Sequence, residues 1–283
     1  MDRATKKWFF ILIGNGIALR LVYNAQQVAN SPGPSRDLEF LPSKVHHVSS
    51  VKPSAFHQIA NEVYTHDVCN ENTVSESHTT KEFDLDSWRP FQTGGGLDDN
   101  DRKMLARYYG SANSVFEWGL GESSYMAGHF NVSRYAGVDS EAEWVSNARD
   151  KCPSHFRLSF ADIGRTHNFG RPLQDLKKNQ YDYVIAPLVV EQCPFDVYLV
   201  DGRFRVACGL LALLHSSRGG HNATILVHDF ESPHKIHSSY KELLRVCDKI
   251  EFSGSRLAAL KRKADVTDEM IHDMYLEWGH NSA

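Results

Sequence analysis

The chain has 283 residues and a mass of 32.0 kDa, with 41% hydrophobic and 23% charged side chains. That balance excludes a disordered chain, and the length admits one large α/β core with extensions or two small domains. Thirty-one basic against 35 acidic side chains give a formal net charge of -4, and no local basic patch stands out, so the sequence argues against a nucleic-acid partner.

In chain order, Arg3, Lys6 and Lys7 precede a mostly apolar run at 8–19, which Arg20 ends. This pattern predicts a signal peptide or short signal anchor over 1–30. It implies entry into the secretory pathway, with the protein either secreted or attached to a membrane by its N-terminus; the alternatives are a buried helix or strand and a cytoplasmic location. The run is shorter than the roughly 20 residues that span a bilayer comfortably. Asn131-Val132-Ser133 and Asn222-Ala223-Thr224 fit the glycosylation pattern that such a route allows. Cysteines at 69, 152, 193, 208 and 247 show no metal-site spacing and suggest mostly buried thiols with at most one or two disulfides.

Residues 31–94 read as a linker or irregular extension, punctuated by Pro, Ser, His and Asn, and the domain boundary falls within 83–96. A domain over 95–263 follows, and then a C-terminal helix over 264–283. "LDDNDRKMLARYY" reads as a helix whose first amides are met by Asp98, Asp99 and Asn100. Short apolar strands then alternate with helical stretches: strands at 114–118, 134–139, 156–163, 195–201 and 223–229, with "RVACGLLALLHSS" a nearly all-apolar helix between the last two. Ser140 and Glu143 have the spacing of a capping box, and "SRLAALKRK" reads as an edge strand. Apolar strands separated by helices predict an α/β fold: a doubly wound, mostly parallel sheet with helices on both faces.

In such a sheet the ligand lies beyond the carboxyl ends of the strands. Gly119 and Gly121 follow the first strand, where a missing Cβ permits close approach and positive φ; Asp139, Asp162 and Asp201 stand near the ends of the next three. The third glycine of a pyrophosphate loop is absent, since Ser124 holds that place, which favours a ligand without phosphates.

The segments "VFEWGLGESS", "YAGVDSEAEWVSNAR", "ADIGRTHNFGRP", "FDVYLVDGRFRVACGLLALL" and "ILVHDF" together resemble class I S-adenosylmethionine-dependent methyltransferases, and more closely a poorly characterised branch marked by a VDGRFRVAC-type motif. The resemblance implies a Rossmann-like sheet of seven strands with the last antiparallel, where the residues alone suggest about six. It implies that Glu117, Gly119 and Gly121 hold the methionine part of S-adenosyl-L-methionine. Asp139, with Ser140 beside it, would bind the ribose, and Asp162 with Ile163 would lie near the adenine.

For catalysis, Asp201, His228 and Asp229 stand at neighbouring strand ends. His228 is the candidate base; alternatively Asp201 and Asp229 hold a magnesium ion, an arrangement the catechol-type branch of the superfamily suggests. Arg203 and Arg205 are candidates for an anionic acceptor or for the cofactor's carboxylate, or else neutralise the two aspartates. His167, Asn168 and Phe169 lie in a loop that could cover the cofactor, and Tyr240 is either an acceptor contact or a packing residue. The expected acceptor is a hydroxyl or amine of a small molecule or glycan-related metabolite. The rivals are a non-catalytic ligand-binding or structural protein with the same fold, and an aminopropyl or carboxypropyl transferase.

Overall fold

The computed structural model describes residues 9–13, 17–21, 82–93, 96–167, 171–173, 177–191, 193–217, 220–232 and 235–279, and the chain divides into two compact units, Met1–Thr65 and His66–Ala283.

The N-terminal expectation is corrected. In the first unit Phe9–Ile13 (β1) pairs antiparallel with Ile17–Leu21 (β2), Phe9 opposite Leu21 and Ile13 opposite Ile17. Gly14-Asn15-Gly16 divides the apolar run in sequence, so each half is long enough for a strand and too short for a spanning helix. Among the described residues no helix is long and apolar enough to cross a membrane. The predicted signal anchor, the membrane attachment and the secretory-pathway location drawn from it are therefore withdrawn. Trp8, the linker residues 31–81, Asn168 and Phe169 lie outside the described residues.

The second unit holds a seven-stranded sheet. Its strands are Ser114–Trp118 (β3), Arg134–Asp139 (β4), Arg157–Phe160 (β5), Val197–Val200 (β8), Thr224–Val227 (β9), Cys247–Phe252 (β12) and Ala258–Arg262 (β13), in the spatial order β12-β13-β9-β8-β3-β4-β5. Between them Thr166–His167 (β6) pairs with Arg171–Pro172 (β7), and Glu231–Ser232 (β10) with Lys235–Ile236 (β11). β3, β4, β5, β8 and β9 are mutually parallel, and β13 runs antiparallel to both its neighbours. β13 is thus interior and β12 is the edge, which corrects the reading of "SRLAALKRK". The helices are Leu85–Trp88 (α1), Asp99–Ser111 (α2), Glu122–His129 (α3), Ala142–Lys151 (α4), Lys177–Val184 (α5), Ala186–Val190 (α6), Arg205–Ser217 (α7) and Asp268–Trp278 (α8), with 3-10 turns at Arg89–Phe91 and Tyr240–Arg245.

Alternation along the central strands builds two cores. Val115, Val197, Leu199 and Leu226 face α2 and α3 together with Met104, Leu105 and Met126. Phe116, Trp118, Tyr198, Val200, Ile225 and Val227 face α7 and α8 with Leu210, Leu213, Ile271 and Met274. Deleting the ring of a fully buried residue such as Phe116 costs roughly 3–5 kcal/mol. The sheet is therefore a rigid platform for its strand-end loops.

The helix starts follow local chemistry. Asp98 caps α2 by accepting from the amides of Asn100 at 2.9 Å and Asp101 at 3.0 Å, while the Asp101 carboxylate reaches back to the Asp98 amide. The box expected at Ser140 does not form, because Asp139 Oδ1 takes the Glu141 amide at 2.8 Å and the helix begins one residue later, with Glu141 as its cap. Trp88 of α1 is buried, and its indole N–H donates to Glu122 Oε1 at 2.8 Å. Cys193 is disulfide-bonded, while Cys152, Cys208 and Cys247 are free thiols.

Candidate functional site

The order of the sheet fixes where a ligand-binding crevice belongs. From β3 the chain proceeds outward through β4 and β5, then returns to β8 on the other side of β3 and proceeds through β9. Connections therefore diverge between β3 and β8, and this divergence is the switch point at which open α/β sheets bind ligands.

Two bare backbones meet there. Gly119 has φ +93, and a Cβ on it would lie 2.8 Å from the Gly202 amide nitrogen and 2.9 Å from the Asp201 carbonyl carbon. Glycine is required at this position by conformation and by contact alike. Gly121 differs: its φ of 167 is extended backbone, a Cβ would first meet Trp144 at 3.8 Å, and it serves as the N-cap of α3.

Glu117 is fully buried beneath the glycine turn. It accepts hydrogen bonds from Ser124 at 2.7 Å and Ser123 at 3.3 Å, and from the hydroxyls of Tyr109 and Tyr135. Burial pushes its carboxyl up to about 7, against the pull of those four donors. Asp139 is 7% exposed; its Oδ2 accepts the Leu120 amide at 2.7 Å, which ties the end of β4 to the glycine turn. Burial raises its carboxyl to about 6, opposed by the amides of Leu120 and Glu141. Ser140 is half-buried at the same turn. Asp162 is exposed and accepts the Gly164 amide at 2.8 Å, whereas Ile163 is buried in the core. Exposed His167 ends β6, and the Thr166 hydroxyl donates to Glu141, so this loop is fastened beside Asp139.

Beyond β8 and β9 lies a charged cluster. β9 ends at Val227, so strand alternation does not separate His228 from Asp229: the chain turns at Asp229, with φ +53, and both residues face Asp201. His228 is buried, with Nδ1 2.8 Å from Asp201 Oδ1, Nε2 3.5 Å from Asp101 Oδ2, and Nδ1 3.8 Å from Asp229 Oδ1. Burial alone would lower its pKa; the Asp201 charge, the Asp101 contact and Asp229 outweigh that and raise it to about 10. Carboxylates beside both ring nitrogens favour the imidazolium, the form that has no lone pair with which to accept a proton.

Asp101, in the first turn of α2, is not among the capping or site candidates named from the sequence. It is fully buried, and its Oδ1 accepts from Ser253 Oγ at 2.6 Å, the Leu257 amide at 2.9 Å and the Arg256 amide at 3.2 Å. Its carboxyl falls to about 2 because His228, Ser253 and Arg256 outweigh burial.

Arg205 is buried with Nη1 3.1 Å from Asp229 Oδ2 and Nη2 3.3 Å from Asp201 Oδ1, so it neutralises the two aspartates. Arg256 stands 3.4 Å from Asp229 Oδ1. Asp229 is held below the usual carboxylate range: burial would raise it, and Arg205, His228 and Arg256 prevail. Arg203 is half-buried, and its amide donates to the Tyr183 hydroxyl at 3.3 Å. Tyr240 is buried, stacked on His237 at 4.0 Å with the Arg205 guanidinium 5.5 Å above its ring.

One ligand atom each from Asp201, His228 and Asp229 lie within 4.8 Å of one another, as a metal would need. The donor chemistry does not fit magnesium. Magnesium takes oxygen ligands, of which this cluster offers Asp201 and Asp229, and Arg205 already meets both while Arg256 meets Asp229. At the switch point itself the backbones of Gly119 and Gly202 meet, and the Asp139 carboxylate adjoins them through the Leu120 amide. A separate cleft of about 970 Å³ lies away from the strand ends, lined by Trp88, Phe91, Tyr125, Trp144 and Lys151 of α1, α3, α4 and the adjoining 3-10 turn.

Neither a protein-family model nor a curated protein matches this sequence. Among solved structures, a methyltransferase-like protein from Silicibacter pomeroyi is 23% identical with a TM-score of 0.54, over 66% of this chain and 97% of that one. Cofactor-bound Rv0187 from MTB is 12% identical with a TM-score of 0.43, over 63% and 88%. SAM-bound CalS10, an amino pentose methyltransferase from Micromonospora echinaspora, is 13% identical with a TM-score of 0.30, over 70% and 90%. With the sheet order and the single antiparallel strand already described, the chain has a Rossmann-like α/β fold of the class I methyltransferase type.

Proposed function

We propose that the protein transfers a methyl group from S-adenosylmethionine to an oxygen or nitrogen of a small-molecule or glycan-related acceptor at the β3/β8 switch point. The observation that carries this reading is the meeting of Gly119 and Gly202 there, with Asp139 bonded across to the same turn. Bound S-adenosylmethionine supplies an electrophilic methyl on a sulfonium. The chain's part is to hold the reactants in line and exclude water. In this reading Asp139 and Ser140 meet the ribose, and Asp162 beside Ile163 meets the base.

On the acceptor side His228 is a fixed cation that positions Asp201 and Asp229. Asp229, with a side chain 42% exposed, is the carboxylate of that cluster open to an acceptor. A carboxylate held there can accept a hydrogen bond from an acceptor hydroxyl or ammonium and fix its orientation toward the methyl group.

A second reading, a non-catalytic protein of the same fold, is favoured by one feature: Glu117 and Asp139 spend their oxygens on hydroxyls and amides of the chain itself. Calorimetric titration of the full chain with S-adenosylhomocysteine separates the two. Binding is expected, with Asp139→Ala weaker by roughly 1.5–3 kcal/mol, the value of a hydrogen bond to a charged group. A folded wild-type protein that does not bind supports the second reading.

A further inference from the structure

The switch point is roofed by a residue that the sequence does not mark. Tyr183, near the end of α5, is 1% exposed, and its hydroxyl rests on Gly202: a Cβ at that glycine would run into it. The hydroxyl accepts the Arg203 amide at 3.3 Å, and the Tyr183 carbonyl accepts the Trp118 indole N–H at 3.1 Å. A bare backbone lets a ligand approach closely. At Gly202 the molecule's own phenol uses that space, while a Cβ on Gly119 would point at Gly202 itself. The turn beneath is shut off as well, since Leu120 is 6% and Asp139 7% exposed.

We infer that Tyr183 occupies the ligand's place at the switch point, and that it withdraws with α5 before the crevice admits an S-adenosyl ligand; the inference rests on the methyl-transfer reading above. The construction of α5 allows the movement. The helix has eight residues and ends at Val184; Ile185, with φ -79 and ψ 0, separates it from α6, where Pro187 blocks continuation. Over its last turn Gln180, Tyr183 and Val184 are buried while Tyr181 and Asp182 are exposed. Because both described polar links of Tyr183 run to the rims of β3 and β8, a ligand that enters between those strands competes for the same space. Apparent affinity is then the intrinsic affinity reduced by the fraction of molecules that are open.

Stopped-flow mixing of the full chain with S-adenosylhomocysteine, followed by tryptophan emission, tests this. The Trp118 indole bonds Tyr183 and reports its departure, and a Trp118→Phe control assigns the signal. In the wild type the observed rate is expected to level off with concentration at the rate of opening. In Tyr183→Ala the plateau disappears and affinity rises about tenfold or more, as expected when the closed fraction is removed. Thermal unfolding shows whether Tyr183→Ala is folded. Should it not be, Tyr183→Phe, which keeps the ring and loses the Arg203 bond, must raise the plateau.

A wild-type rate that stays linear in concentration with the slope of the variants overturns the inference, as does weaker binding by a folded Tyr183→Ala. Absence of binding by the wild type and by both variants refutes the S-adenosyl reading itself and this inference with it.

Discussion

Replacing Asp101 by asparagine keeps the side chain's shape and removes its charge. An amide oxygen can still accept from Ser253, Leu257 and Arg256, so the loss falls on the imidazolium, which would face an N–H donor where Oδ2 now lies 3.5 Å away. Removing one partner of a buried ion pair destabilises by roughly 3–5 kcal/mol. Asp201 remains 2.8 Å from the other ring nitrogen, which places the expected loss at the lower end, about 3 kcal/mol. The same contacts set a pH dependence. The His228 pKa is raised from 6.5 unfolded to about 10 folded, so its stabilisation is complete below 6.5 and is lost as pH rises through 10. The slope cannot exceed about 1.4 kcal/mol per pH unit, and the whole effect is at most roughly 5 kcal/mol. Urea unfolding between about pH 6 and 10, taken as wild type minus His228→Gln, isolates the imidazole from the tyrosines, cysteines and lysines that also titrate there. The difference should shrink as pH rises. A difference that is constant or grows, or an Asp101→Asn protein within about 1 kcal/mol of wild type at neutral pH, refutes the imidazolium assignment.

Gly119→Ala should destabilise by roughly 2 kcal/mol or more, since its φ of +93 and its contact with Gly202 both exclude a Cβ, whereas Gly121→Ala should leave the melting temperature nearly unchanged. Comparing the two melts checks whether the first glycine alone is structurally required. Magnesium should leave both the melting temperature and S-adenosylhomocysteine affinity unchanged, as should a chelator; a magnesium-dependent rise in melting temperature would show that the Asp201–His228–Asp229 cluster takes up the ion after all.

The elements legible in the sequence were those whose burial leaves one pattern. β8 and β9 read as nearly unbroken apolar runs because both faces are covered, β3 as a short apolar run that Glu117 interrupts, and the Asp98 cap is a local arrangement within four residues. β12 escaped notice because an edge strand with residues 248–250 exposed carries no such run. The Ser140 box failed because Asp139 one residue earlier holds the Glu141 amide and the helix starts at Ala142 with Glu141 as its cap. Within the site, residues at strand ends could be named, since the strands themselves were visible. Asp101 and Tyr183 could not be, because each reaches the strand ends from a helix distant in sequence, and neither helix carries a motif that says which of its polar groups turns inward.

The two carboxylates that lead into the acceptor side differ in what holds them, and that difference separates structure from chemistry. Asp201 is 20% exposed and bonded to the His228 ring, whereas Asp229 is 42% exposed and meets only arginines at hydrogen-bonding distance. Asp229 also has φ +53, a conformation that asparagine adopts more readily than most residues. Asp229→Asn should therefore preserve the turn and the fold while removing the charged hydrogen-bond acceptor, whereas His228→Gln removes the charge that organises the cluster. Transfer of labelled methyl from S-adenosylmethionine to small-molecule extracts gives the readout, with S-adenosylhomocysteine affinity and melting temperature as controls. Asp229→Asn should lower transfer by about tenfold to a hundredfold, as expected for loss of a hydrogen bond to a charged group that orients the acceptor, with both controls near wild type. If transfer persists at the wild-type rate, Asp229 serves only to neutralise Arg205 and Arg256, and another group orients the acceptor. If the melting temperature falls with it, the arginines need their partner for folding, and Asp229 belongs with Asp101 as part of the scaffold.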